Sequence, residues 1–329
     1  MKELAKRKSL RFHYSPGMPL KNKIASSLHR VALTCGLSMS MARRQPVRRI
    51  LMYHGVGGSD YSAETFCAGL EYLRAGFNIL PLETIVEKIL AGEPSSGNEI
   101  ALTFDDGHRN NFTVVYPALQ KFGVPATFFI CPGLVDSGRW IWTQEVRERL
   151  IFLGDIERGR LGGELGFPKN SANDIVNRMK LFPQKKRIMV QETIRKHTDG
   201  FQPTTVQREK LDLMNWDEIS RLDTALVTIG SHSATHSILS SLDPGEIEPE
   251  IAGSRVRLED RLNRKVCLFC YPNGDYNQAV LDVVRQNYKA AVTTEFRAAT
   301  GKEDLCLLPR ISAAEDVPLL SWRLHRPGA

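Results

Sequence analysis

Short apolar runs that stop abruptly at polar residues alternate along this chain with longer stretches of helical spacing. The runs are Ile50-Leu51-Met52-Tyr53 before His54-Gly55, Ala101-Leu102-Thr103-Phe104 before Asp105-Asp106-Gly107, and Ala126-Thr127-Phe128-Phe129-Ile130 before Pro132-Gly133. They continue with Leu226-Val227-Thr228-Ile229-Gly230 before Ser231-His232, then Val266 to Tyr271, Ala290 to Thr294 and Leu305 to Leu308. Each has the length and unbroken apolarity of a strand buried on both faces. Between them, helical periodicity covers 64–76, 82–91, the segment through Val114, Val115, Leu119 and Phe122, a stretch from Asp243-Pro244 to about Arg261, and 277–287. Asp243 is a natural cap there and Pro244 suits a first helical position. Seven strands, most of them separated by helices, predict parallel βαβ units and a distorted seven-stranded (β/α) barrel. In such barrels chemistry gathers at the C-terminal strand ends, where several of these runs become polar.

Residues 138–215 differ in texture. They are rich in Arg, Lys and Glu and helical in period, with breaks at Gly162-Gly163, Pro168 and Pro183. The expected organisation is a basic, helical N-terminal arm over 1–47, a barrel over 48–315 with a helical insertion at about 138–215 walling one side of a cleft, and a frayed C-terminal tail over 316–329. Trp140 and Trp142, at the start of the insertion, either stack on sugar rings or anchor it.

The 329 residues carry a formal charge of +7, with much of the excess in the N-terminal arm at Lys6-Arg7-Lys8, Arg11, Arg43-Arg44 and Arg48-Arg49. That bias suits an anionic membrane face or an acidic polymer, or simply a solvated arm; no aromatic or helix-turn-helix signature supports nucleic acid. No apolar run of about 18 residues predicts a membrane span. Ile24 to Met41 is interrupted by His29-Arg30 and followed by Arg43-Arg44, the wrong polarity for a cleaved signal, so the expectation is a cytoplasmic protein, either free or in peripheral membrane contact through its arm. Six cysteines in a chain of this length make no disulfide framework. Cys267 and Cys270 read as small strand residues pointing to opposite faces rather than as a zinc or redox pair.

Two adjacent acids at a strand end, Asp105-Asp106, are costly unless compensated, and they read either as a helix cap and turn or as a cation site. His232 and His236 weigh on that choice. If they share one helical turn, both imidazoles project to one side, and with one acid of the pair they make a two-His, one-carboxylate set. Tyr271-Pro272-Asn273-Gly274 closes another strand, either as a plain turn or with backbone N–H groups pointing into the site. His54, alone a strand-end histidine, becomes a candidate general acid beside a metal.

Thr103-Phe104-Asp105-Asp106-Gly107, Ser231-His232-Ser233-Ala234-Thr235-His236 and Phe269-Cys270-Tyr271-Pro272-Asn273-Gly274 resemble, in this order, the motifs of the NodB-homology polysaccharide deacetylases, over about residues 49–312. The opening Met52-Tyr53-His54-Gly55-Val56 resembles the circularly permuted branch that includes poly-N-acetylglucosamine deacetylases. The resemblance implies a NodB-type barrel. It also implies a divalent metal, Zn²⁺ or alternatively Co²⁺, Ni²⁺ or Fe²⁺, on Asp106, His232 and His236. Asp105 is then the general base, Tyr271 N–H an oxyanion donor, and His54 the acid that protonates the leaving amine. The implied substrate is an acetylated glycan, such as an exopolysaccharide. Where the commoner branch carries an arginine before its Pro-Tyr motif, this chain has Phe269-Cys270-Tyr271; Arg310 either supplies that charge beside Asp105 or is a surface arginine. His325 is the rival to His54. The competing functions are an O-acetyl esterase or cyclic-amide hydrolase using the same residues, and a catalytically silent glycan-binding protein.

Overall fold

Parallel strands wrap around a closed barrel in the computed structural model, which describes residues 20–57, 61–167 and 171–326. The strands are β1 (Arg49–Tyr53), β2 (Asn78–Ile79), β3 (Glu99–Phe104), β4 (Ala126–Ile130), β5 (Val227–Ser231), β6 (Leu268–Cys270), β7 (Ala290–Phe296) and β8 (Leu308–Ser312). β1 pairs with β8 on one side and β3 on the other, closing seven strands into a ring, while the two-residue β2 adds to β3 outside it. This is the (β/α)₇ barrel that the strand pattern predicts.

Alternation along the strands sorts side chains into two cores. Ile50, Ala101, Phe129, Leu268, Cys270, Ala290, Val292 and Leu308 pack together with Leu82, Ile85 and Val86 of the helix Leu82–Leu90. The opposite parity, including Leu51, Tyr53, Ile100, Leu102, Phe104, Phe128, Ile229 and Phe269, packs in the larger core with the surrounding helices. Continuing the first parity to the strand ends brings in His54, Asp105 and His232, so the chain's alternation itself aims these three at one place.

The last strand begins later than its apolar run suggested. Leu305–Leu307 is a single 3₁₀ turn capped by Asp304, which accepts from Cys306 N–H at 2.8 Å, and the strand proper is Leu308–Ser312. Arg310 therefore sits inside β8 and is fully buried. The helix Pro244–Leu262 starts at the expected cap, with Asp243 and Glu246 forming a reciprocal capping box.

The insertion is helical throughout: Trp142–Phe152, Gly154–Glu164, Ala172–Met179, Gln184–His197 and Thr205–Leu211. Gly162-Gly163 breaks nothing, lying within the second of these helices, and Pro168 lies outside the described residues. Most of these helices share a core through Val146, Leu150, Leu161, Ile175, Met179 and Ile194. Both tryptophans belong to the framework rather than to a sugar platform. Trp140 is buried and donates from Nε1 to Asp212 Oδ1 at 2.7 Å, and Trp142 is buried in the insertion's core with Arg187 over its ring.

The two ends of the described chain meet. The helices Leu20–Thr34 and Leu37–Arg43 pack on Val317–His325, with His29 and Trp322 rings 4.6 Å apart and Gln45 Nε2 donating to His325 O at 2.8 Å. The expected tail is thus a docked helix, because Leu320 and Leu324 bury their apolar face. Lys6-Arg7-Lys8 and Arg11 lie outside the described residues. Arg48 and Arg49 are not surface charge. Arg48 pairs with Glu99 at 2.8 Å, and Arg49 donates to the carbonyls of Leu324, Gly97 and Ala42. Among the described residues no helix is long and apolar enough to cross a membrane.

Candidate metal and catalytic site

A backbone reversal separates the two acids. Asp105 continues the β3 ladder, its N–H donating to Tyr53 O at 2.9 Å, but Asp106 and Gly107 then adopt left-handed φ values of 72° and 71°. Asp can enter that region, and glycine does so without penalty. The reversal leaves Asp105 facing the barrel interior and turns Asp106 toward the loop after β5. A Cβ on Gly107 would stand 2.9 Å from Ile130 Cδ1. Gly107→Ala is expected to cost about 1–2 kcal/mol from the strained φ alone, read as a lower denaturation midpoint.

Asp105 is held by Arg310. The guanidinium donates from Nη1 to Oδ1 at 2.6 Å and from Nη2 to Oδ2 at 2.7 Å. It also donates to Thr103 Oγ1 at 3.0 Å, Cys270 Sγ at 3.1 Å and Thr293 O at 2.9 Å, so all five of its N–H groups are engaged. Burial alone would raise the Asp105 pKa, but the Arg310 charge and its hydrogen bonds outweigh it and hold the carboxyl below its usual value. Asp105, His232 and Cys270 also lie close enough to suggest a metal cluster. Arg310 already occupies that role, however, as the cation bonded to both Asp105 and the sulfur, and burial pushes the Cys270 thiol pKa up.

Asp106, His232 and His236 converge differently. The pair does not form a helical turn. It lies on an irregular loop in which Ser233 and His236 have φ of 60° and 57°. Glu250 of the helix Pro244–Leu262 clamps this loop, accepting from Thr235 N–H at 3.0 Å on its side chain and from Ala234 N–H at 2.9 Å on its carbonyl. The imidazoles end 4.9 Å apart between ring centres. His232 Nε2 is 3.4 Å and His236 Nε2 3.3 Å from Asp106 Oδ1, yet that buried oxygen makes no hydrogen bond. Three buried donor atoms within reach of one point could hold a metal ion. Ligands about 2.0–2.1 Å from a common tetrahedral centre are separated by about 3.4 Å, which matches these distances. His232 Nδ1 donates to Cys270 O at 2.8 Å, so in the neutral imidazole Nε2 is the nitrogen that carries the lone pair. Burial would raise the Asp106 pKa, but its histidine neighbours keep it well below the usual range.

His108, which the sequence reading passed over, directs this set. Its Nε2 lies 3.2 Å from Asp106 Oδ2 and 3.2 Å from Gln144 Nε2, occupying the carboxylate oxygen that does not face the histidine pair. The signal was available, since a histidine directly follows Asp-Asp-Gly. Thr143, Gln144 and Arg147 of the insertion line one cleft with His54, Asp105, Asp106, His232, His236, Tyr271 and Asn273, enclosing about 210 Å³. His54 is exposed at that cleft. His325 is not among its lining residues; it is buried against Trp322, with Nδ1 3.3 Å from Ser321 O. Tyr271 N–H, expected to point into the site, donates to Val292 O at 3.3 Å, completing the register of β6 on β7.

Residues 92–291 match the family model for polysaccharide deacetylases, and the chain belongs to that family of enzymes. YxkH of Bacillus subtilis (strain 168) is 21% identical over 267 residues, 80% of this chain and 70% of that one. The Streptococcus pyogenes deacetylase PplD, solved in complex with acetate, superposes with a TM-score of 0.59 at 19% identity, over 86% of this chain and all of that one. A de-N-acetylase from Aggregatibacter actinomycetemcomitans gives 0.51 at 14% identity, over 80% and 94%. At these identities the likeness to the solved structures is one of fold.

Proposed function

We propose that the protein is a metal-dependent hydrolase that removes N-acetyl groups from a polysaccharide or saccharide containing N-acetylglucosamine. The observation that carries this reading is the convergence of Asp106 Oδ1, His232 Nε2 and His236 Nε2 beside an ionised, arginine-bound Asp105. Asp106, His232 and His236 would hold the metal, Zn²⁺ or alternatively Co²⁺, Ni²⁺ or Fe²⁺, which when bound polarises the acyl carbonyl and makes water more acidic. Asp105 takes the proton of the attacking water on a lone pair that Arg310 does not use. Arg310 keeps that carboxylate ionised and fixed in direction. His54, exposed at the same cleft, gives a proton to the departing nitrogen. An amine leaves poorly without that proton, whereas an alkoxide needs it less, so an acid at this place favours amide over ester substrates.

The test is acetate release by the metal-loaded protein across N-acetylglucosamine oligomers and O-acetylated xylan. The expected result is release from the N-acetylated oligomers, loss in chelator and recovery with Zn²⁺ or Co²⁺. His232→Ala should bring both metal stoichiometry and acetate release to background. An intact, metal-loaded protein that binds glycans but frees acetate from none would overturn the reading in favour of a silent binder.

A further inference from the structure

One face of the insertion's first helix, Trp142–Phe152, walls the cleft that holds the acids and histidines. Thr143, Gln144 and Arg147 stand three or four residues apart on it, so they point the same way. Arg147 takes no part in the reaction proposed above. The acids of its own helix are committed elsewhere. Glu145 is buried between Arg149 and Arg195, at 2.9 and 2.8 Å, and Glu148 accepts from Gln207 Nε2 at 2.8 Å. The Arg147 guanidinium is held instead by an amide, donating from Nε to Asn173 Oδ1 at 2.6 Å. That anchor is fixed, because Asn173 lies in the first turn of the helix Ala172–Met179, which the Ser171–Asp174 capping box starts and the insertion's core packs. Among the described residues the four Nη N–H groups of Arg147 make no hydrogen bond or ion pair. The side chain is only half-buried, so a ligand in the cleft can reach them.

We propose that Arg147 forms a subsite for an anionic group, a carboxylate or a phosphate, carried by the N-acetylated sugar or its neighbour, and so directs the protein to acidic saccharides; this role rests on the deacetylase reading above. A guanidinium tied down at Nε with both Nη groups free presents a planar fork that meets two oxygens of one anion at once. A sugar hydroxyl offers a single oxygen and no charge, and would use half of that fork. The acids in the cleft do not neutralise it, since Asp105 is bound by Arg310 and Asp106 faces the histidine pair. The cleft encloses about 210 Å³, little more than one sugar residue, so a group on its wall meets the reacting sugar or the next one along.

Acetate release by the Zn²⁺-loaded protein would be compared on two matched pairs. The first sets N-acetylglucosamine oligomers against oligomers of equal length in which N-acetylglucosamine alternates with glucuronic acid. The second sets N-acetylglucosamine against its 6-phosphate. In at least one pair kcat/KM is expected to be higher for the acidic member by about tenfold or more, the worth of one charge-assisted contact, and the pair that shows it tells carboxylate from phosphate. The preference should shrink as salt is raised, because the contact is open to solvent. Arg147→Gln, which removes the charge, should bring the acidic-to-neutral ratio close to one, whereas Arg147→Lys, which keeps the charge and loses the fork, should retain part of it. A parent without preference in either pair would overturn the proposal, as would an Arg147→Gln protein with the parent's ratio. If the parent frees no acetate from any of the four, the deacetylase reading falls. Calorimetric Kd values for the same saccharides then decide the role of Arg147: a rise of about tenfold for an acidic member in Arg147→Gln supports the anion subsite, and an unchanged Kd removes it.

Discussion

Arg310→Met is expected to lower the unfolding free energy by about 3–5 kcal/mol at neutral pH, because it leaves the Asp105 carboxylate buried without its counter-charge. Methionine fills much of the arginine's volume, so the loss reports charge rather than a cavity. Denaturant midpoints measured in chelator, to exclude coupling to metal, would read it. The pH dependence has a defined sign. The Asp105 pKa in the folded parent lies below the ordinary aspartate value, so the pair's contribution is present above that ordinary value and is lost as the acid protonates in the folded state. In the variant, burial without Arg310 raises the Asp105 pKa, and the chain binds a proton on folding instead. The gap between parent and variant should therefore narrow as pH falls toward about 4. A gap of under about 1 kcal/mol at pH 7 would show that the pair is compensated elsewhere. Asp105→Leu in the Arg310→Met background should restore much of the stability, since a buried pair can often be exchanged for apolar residues, but it should not restore turnover.

Asp105→Asn should reduce acetate release by about 10²–10⁴-fold, the contribution of a positioned general base. The metal should remain at parent stoichiometry, because Asp105 faces Arg310 and not the histidine pair. Parent-like turnover would move the base elsewhere in the cleft. Loss of metal would show that the two adjacent acids share a single role. The contrast with His232→Ala, expected to lose metal and activity together, separates proton transfer from metal binding within one site.

Much of this was legible in the sequence for a physical reason: a parallel strand buried on both faces must be apolar along its length, so the point where it turns polar marks its end. Asp105, His232 and His54 were found in this way, and strand parity explains why they meet. The helix from Pro244 was legible through its cap. What was not legible has equally specific causes. For Arg310 the sequence left two readings, a partner for Asp105 or a surface arginine, and the structure bears out the first, its five satisfied donors showing how the barrel carries it. The apolar Leu305-Cys306-Leu307 imitates a strand but is a turn capped by Asp304. The spacing of His232 and His236 imitates a helical turn, while the chain reaches the same convergence through two left-handed residues and a clamp from Glu250. The tail at 316–329 reads as frayed because much of what covers its apolar face, the two N-terminal helices and the helix Ala63–Gly76, is distant in sequence. Gln144 became visible only when the insertion folded over the acid pair.

The ring closes between β1 and β8, and the arginine that neutralises Asp105 belongs to the strand that closes it, 205 residues downstream. During synthesis Asp105 therefore emerges early and its counter-charge nearly last. Until β8 is in place, burying Asp105 is electrostatically unfavourable, so this carboxylate acts as a checkpoint on its own assembly: the inside of the barrel becomes a stable place for that charge only once the final strand has arrived.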